Sequence, residues 1–131
     1  EIPKVLDEYL SEQFTKYSKL FGYTINLTDF CALMKYDKKI IGAVIGDTCF
    51  DSFELKELII DPDYLYLAPD FIEKIIKDLK NKNVNFIYID TFNKQAKDFY
   101  TKLGFDFDFE RNGYINDNGN NISLCYLSKN I

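Results

Sequence analysis

Between Pro3 and Phe21 the apolar residues Val5, Leu6, Tyr9, Leu10, Phe14, Tyr17 and Leu20 recur at three- and four-residue steps, which sets them on one side of an amphipathic helix that Gly22 stops. The period then changes. FCALMKY at 30–36 and KIIGAVIG at 39–46 are strand-like runs separated only by Asp37 and Lys38, the spacing of a tight β-hairpin. FELKELIID at 53–61 predicts a third strand, stopped by Pro62, which has no N–H for a ladder. Helical spacing returns from about Pro69, where Ile72, Ile75, Ile76 and Leu79 share a face. VNFIYIDTF at 84–92 is again β-rich, and Asn93 is a good N-cap for a short helix that Gly104 terminates. FDFDFE at 105–110 alternates strictly, and NISLCYLSK at 121–129 reads as a last strand after the Asn- and Gly-rich stretch 112–121.

The order is helix, three strands, helix, strand, helix, two strands. A strand-helix-strand unit over 53–92 calls for a parallel pair with a helical crossover, while both flanks read as antiparallel. The expected fold is therefore a single α/β domain over residues 1–131, a mixed sheet with helices packed on it. No internal repeat or linker divides the chain.

Composition removes several classes of function. The 131 residues suit one domain with one sizeable core. Sixteen basic against 21 acidic residues give a net charge of −5, which argues against nucleic acid and anionic membranes as partners and favours a cationic amine. Cys31, Cys49 and Cys125 are odd in number and lack close ligand spacing, so neither a disulfide framework nor a metal site is expected, and a reducing, cytoplasmic setting follows. The longest apolar run, IIGAVIG at 40–46, is far below the ~20 residues of a membrane span. With no histidine in the chain, Ser-His-Asp and Cys-His hydrolases are excluded, and proton transfer falls to Glu, Asp, Tyr, Lys or Cys.

The helix after Asn93 carries the chemistry. Asn93, Ala96, Phe99, Tyr100, Leu103, Gly104 and Phe105 stand at the spacing N-x-x-A-x-x-F-Y-x-x-L-G-F, which resembles the closing motif of the GNAT-superfamily N-acetyltransferases. KYDKKIIGAVIG and KELIIDPDY resemble that superfamily's core strands, and the likeness extends over about residues 29–129. It implies a GNAT-like fold with a splayed central parallel pair, acetyl-CoA as co-substrate, and a small-molecule or peptide amine as acceptor. A homodimer is left open.

The same resemblance assigns roles. Asn93 would hydrogen-bond the pantetheine arm, and Tyr100 would lie near the sulfur as general acid for the departing thiolate. Backbone groups of Leu58 and Ile60, on a strand that bulges, would clamp the cofactor and polarise the thioester. Glu54 stands where several members keep a general base; Glu57 is the alternative if a bulge shifts the register, and a water chain serves in many members. Leu67 and Ala68 fall at the pyrophosphate loop, where the superfamily has R/Q-x-x-G-x-G/A and this chain has DPDYLYLAPDFIEKII without a glycine. A related group of small acetyltransferases continues to a Pro-Gly-His stretch; NGYINDNGNN stands there instead.

Each residue also has a plain structural reading. Ala96, Phe99, Tyr100 and Leu103 form an apolar helical face, Asn93 is an N-cap, and Glu54, Lys56 and Glu57 suit the wet face of a strand. A catalytically silent GNAT-like binding module is the alternative function, and an acyltransferase that holds its donor mainly through pantetheine is a third.

Overall fold

A computed structural model describes residues 1–22 and 27–131. The elements are α1 (Lys4–Phe21), β1 (Thr28–Tyr36), β2 (Lys39–Cys49), β3 (Ser52–Ile60), a 3₁₀ helix (Pro62–Leu67), α2 (Ala68–Asn81), β4 (Phe86–Thr91), α3 (Lys94–Lys102), β5 (Asp106–Ile115) and β6 (Asn121–Asn130). One six-stranded sheet runs β1-β2-β3-β4-β6-β5. Only β3 and β4 are parallel; the other neighbours are antiparallel. The predicted mixed α/β sheet with helical crossover is thus present.

Local chemistry accounts for the joints. Asp37 and Lys38 both have positive φ, 48° and 69°, the geometry of a type I′ turn, whose twist suits the β1–β2 hairpin. At 62–67, where the sequence suggests a loop, Pro62 opens a 3₁₀ helix and the Asp61 carboxylate accepts the Asp63 N–H at 3.0 Å. That turn runs straight into α2. The Asn112–Gly113 pair lies inside β5, at a bulge between Arg111 and Tyr114, and the reversal falls at 116–120.

The core lies on one face of the sheet. Phe71, Ile72, Ile75 and Leu79 of α2, with Tyr100 of α3 and Phe105, pack on Phe53, Leu55, Ile87, Ile89 and Leu127. At about 2 kcal/mol for each fully buried large apolar side chain, this cluster is the main source of stability. The opposite face is covered far less: Leu33, Ile45 and Ile59 are exposed. Helix α1 is amphipathic as predicted, yet its apolar residues face solvent and Ser18 is its one buried residue. Among the described residues no helix is long and apolar enough to cross a membrane.

Candidate active site

The central parallel pair parts almost at once. β3 and β4 pair through three rungs, Ser52 with Phe86, Phe53 with Ile87 and Glu54 with Tyr88. A bulge follows in β3, where Ile45 of β2 faces Glu57 while the next residue, Gly46, faces Leu55, so Lys56 is the extra residue. Its ammonium is paired with the Asp47 carboxylate; hydrogen bonding between the two lowers the Asp47 pKa and raises that of Lys56. Gly46 is required at this point, because a Cβ there would run into the Glu54 carbonyl oxygen and the Phe53 ring.

Beyond the bulge β3 keeps β2 as a neighbour and no longer has β4. Strand pleating turns alternate backbone N–H and C=O groups toward the gap. Leu58 and Ile60, two residues apart, present theirs to the same side. The gap is a cavity of about 230 Å³ whose walls include Glu57 and Leu58 of β3, Asp90 and Thr91 of β4, and Asn93, Ala96 and Tyr100. A second cavity of about 350 Å³ is walled by Leu58, Ile59, Ile60, Leu65, Gln95, Ala96, Phe99 and Tyr100. Ala96 and Tyr100 belong to both, so the two spaces meet at α3.

Helix α3 is fixed at each end. The Asn93 side-chain oxygen accepts the Gln95 N–H at 2.8 Å, while the Asn93 N–H donates to Thr91 Oγ1 at 3.1 Å. N-cap and cavity wall are therefore compatible in Asn93, whose amide nitrogen remains a free donor among the described residues. At the other end, the N–H of Gly104 donates to the Thr101 carbonyl at 3.1 Å and that of Phe105 to the Tyr100 carbonyl at 3.0 Å, a Schellman motif with Gly104 at φ 91°. Lys129 Nζ adds a bond to the Leu103 carbonyl at 2.9 Å.

This lock explains the Phe-Tyr-x-x-Leu-Gly-Phe run. Tyr100 is held edge-on between the rings of Phe99 and Phe105, with centroids 5.2 and 5.4 Å away. Its ring is core, only 7% exposed, its hydroxyl meets no protein partner among the described residues, and the residue forms part of the wall of both cavities. Burial pushes its pKa up to about 12, which keeps the phenol protonated at all ordinary pH.

The other predicted positions are distributed unevenly. Glu57 reaches the cavity. Glu54 lies one rung before the bulge, beside Tyr88, whose pKa is raised by partial burial and by that carboxylate. Leu67 and Ala68 open α2, and Leu67 walls a groove against β1, outside both cleft cavities. The Ala68 N–H is taken by the Leu65 carbonyl, so the 3₁₀ turn consumes a group that a phosphate would need. Asp90, Thr91 and Gln95 join the walls without a functional signature in the sequence: Thr91 and Gln95 only flank Asn93, and Asp90 carries no signal apart from the strand's alternation. Among the described residues no cluster of His, Cys, Asp and Glu could hold a metal ion.

Known proteins bear directly on this geometry. Residues 3–105 match the sequence profile of the acetyltransferase (GNAT) family. Among solved structures, a presumed acetyltransferase from Agrobacterium tumefaciens is 17% identical with a TM-score of 0.78, the match covering 100% of this chain and 95% of that one. An acetyltransferase from Bacillus cereus ATCC 14579 is 20% identical with a TM-score of 0.76, again over 100% and 95% of the two chains. A Bacillus subtilis acetyltransferase in complex with CoA is 16% identical with a TM-score of 0.62, over 77% and 76%. At these identities the likeness is one of fold. No curated protein sequence matches the chain.

Proposed function

The chain belongs to the acetyltransferase (GNAT) family, and from that premise we propose that it transfers an acetyl group from acetyl-CoA to a primary amine by direct attack inside the β3–β4 cleft. The observation that carries this reading is Tyr100, which walls both cavities at the splayed strands and whose phenol stays protonated and has no partner among the described residues.

The residues suit a pantetheine thioester. Backbone amides of Leu58 and Ile60 supply donors and acceptors for the amides of the arm, the Asn93 amide nitrogen adds a donor, and Ala96 leaves room. A strand N–H directed at the thioester oxygen would stabilise the charge that develops there.

In the reaction the neutral amine nitrogen bonds to the carbonyl carbon, and collapse of the adduct breaks the carbon–sulfur bond. The nitrogen gives up a proton and the sulfur gains one. A phenol near pKa 12 is a weaker acid than a thiol near 8.5, so Tyr100 first acts as a hydrogen-bond donor to the growing negative charge on sulfur. Any proton it releases is restored from the amine side. Glu57, which walls the cavity, is assigned as acceptor of the amine proton, and Glu54 is the second candidate, one rung outside.

Thiol release from acetyl-CoA in the presence of simple primary amines tests the proposal. Turnover that needs both components supports it. Absence of turnover, with no heat of binding and no thermal shift from millimolar acetyl-CoA, would reject it in favour of a silent binding module. The 3₁₀ turn supports one refinement, that affinity for the donor comes chiefly from the pantetheine arm.

A further inference from the structure

The cleft carries more negative charge than its own side chains neutralise. Glu57 of β3 and Asp90 of β4 wall the smaller cavity from opposite strands, and neither has an ion pair among the described residues. Lys56 is the one cation of that wall, and its ammonium is already taken by Asp47 of β2. Two carboxylates that face one small space repel each other, and a cation between them removes the cost. A metal ion would need a fuller set of ligands than the described residues bring together.

Register extends the pattern across the sheet. Asp90 pairs with Tyr126 of β6, and Tyr126 with Phe109 of β5, so the three side chains stand in one row. The row lies on the face away from the helices, because Asp90 alternates with the core residue Ile89. The rings of Tyr126 and Phe109 are stacked, with centroids 4.3 Å apart and planes 15° from parallel. Two rings stacked from adjacent strands turn their faces across the strand direction, so the second face of Tyr126 is directed to β4 and Asp90. No other ring and no ammonium among the described residues covers it.

We propose that the acceptor is an aliphatic diamine, one nitrogen reacting in the cleft beside Glu57 and the other held as an ammonium between the Asp90 carboxylate and the open face of Tyr126. Which nitrogen reacts rests on the acetyl-transfer reading; recognition of the second charge does not. An alkylammonium titrates at about 10.4, as lysine does, so the attacking amine must first lose its proton, on that reading to Glu57. A monoamine is then neutral and has nothing left for Asp90. A diamine keeps one charge, to which a carboxylate and a ring face are complementary. Asp90 and Tyr126 thus determine specificity without touching the reacting atoms.

Diaminobutane, butylamine and aminobutanol share one carbon chain and differ only in the group at its far end. Calorimetric binding of each to the whole chain, and kcat/KM for its acetylation, test the proposal. Diaminobutane is expected to exceed the other two by about tenfold or more in both measures. Asp90→Asn and Tyr126→Leu, with unchanged circular dichroism, should each shrink that ratio several-fold. Equal values for the three amines, or a diamine advantage that both variants retain, would overturn it. If no amine is acetylated, the transfer reading fails and calorimetry alone decides the second-charge site: tighter diamine binding that Asp90→Asn weakens upholds it, and equal binding overturns it.

Discussion

The two helices that follow the parallel strands begin in opposite ways. Before α3 the chain turns within two residues, and Asn93 caps the helix while keeping its amide nitrogen for the cleft. Before α2 a 3₁₀ turn fills residues 62–67, uses the Ala68 N–H, and sets Asp61, Asp63 and Asp70 around the junction. Both junctions follow strands of the central parallel pair, and on the proposed reading their difference sorts the donor molecule into two halves, with the thioester and its arm at the α3 junction. At the α2 junction, carboxylates near a helix start compete with any phosphate for the positive end of the helix.

That contrast can be broken in several ways. The largest effect is expected from Ala96→Phe, which would fill the point where the two cavities meet. Donor binding should fall more than about a hundredfold by calorimetry, equivalent to about 3 kcal/mol, with melting temperature nearly unchanged. Gly104→Ala comes next. It forces a side chain to φ 91° and brings a Cβ to 2.7 Å from Lys129 Nζ, so the Schellman lock under Tyr100 should lose about 2 kcal/mol in urea unfolding.

A donor comparison sharpens the α2 side. If the arm supplies the affinity, replacing acetyl-CoA by acetyl-pantetheine should raise KM by no more than about tenfold, or 1.4 kcal/mol. A much larger rise would restore a phosphate site at the 3₁₀ turn. The smallest effect is expected at the β1–β2 turn: Lys38→Gly removes a side chain from φ 69° and should stabilise the hairpin by about 1 kcal/mol.

The same contrast decides what could be read from sequence. Asn93, Ala96, Phe99, Tyr100 and Gly104 announce a capped, one-sided helix with a glycine stop, because cap, face and terminator all act over short range. The 3₁₀ turn leaves no periodic signature in the sequence, although Asp61 followed by Pro62 is a helix-start signal, since six residues are too few to show a period. The bulge at Lys56 depends on how β2 and β3 align, with Gly46 admitting the close approach, and no local pattern specifies it. It is why Glu57 rather than Glu54 reaches the cavity. Similarly, the spacing in α1 says that one side is apolar and is silent on what covers it.

The acetyl-transfer rate of Tyr100→Phe, measured under single turnover beside the unmodified chain from pH 7 to 10, tests the central claim most directly. The account predicts a fall of at least about a hundredfold with folding intact. It also predicts no alkaline loss of activity from Tyr100 in the unmodified chain, because a pKa near 12 keeps its proton bound until well above pH 10. An unchanged rate in the phenylalanine variant would contradict the account, leaving Tyr100 as core and the cleft without its proton donor.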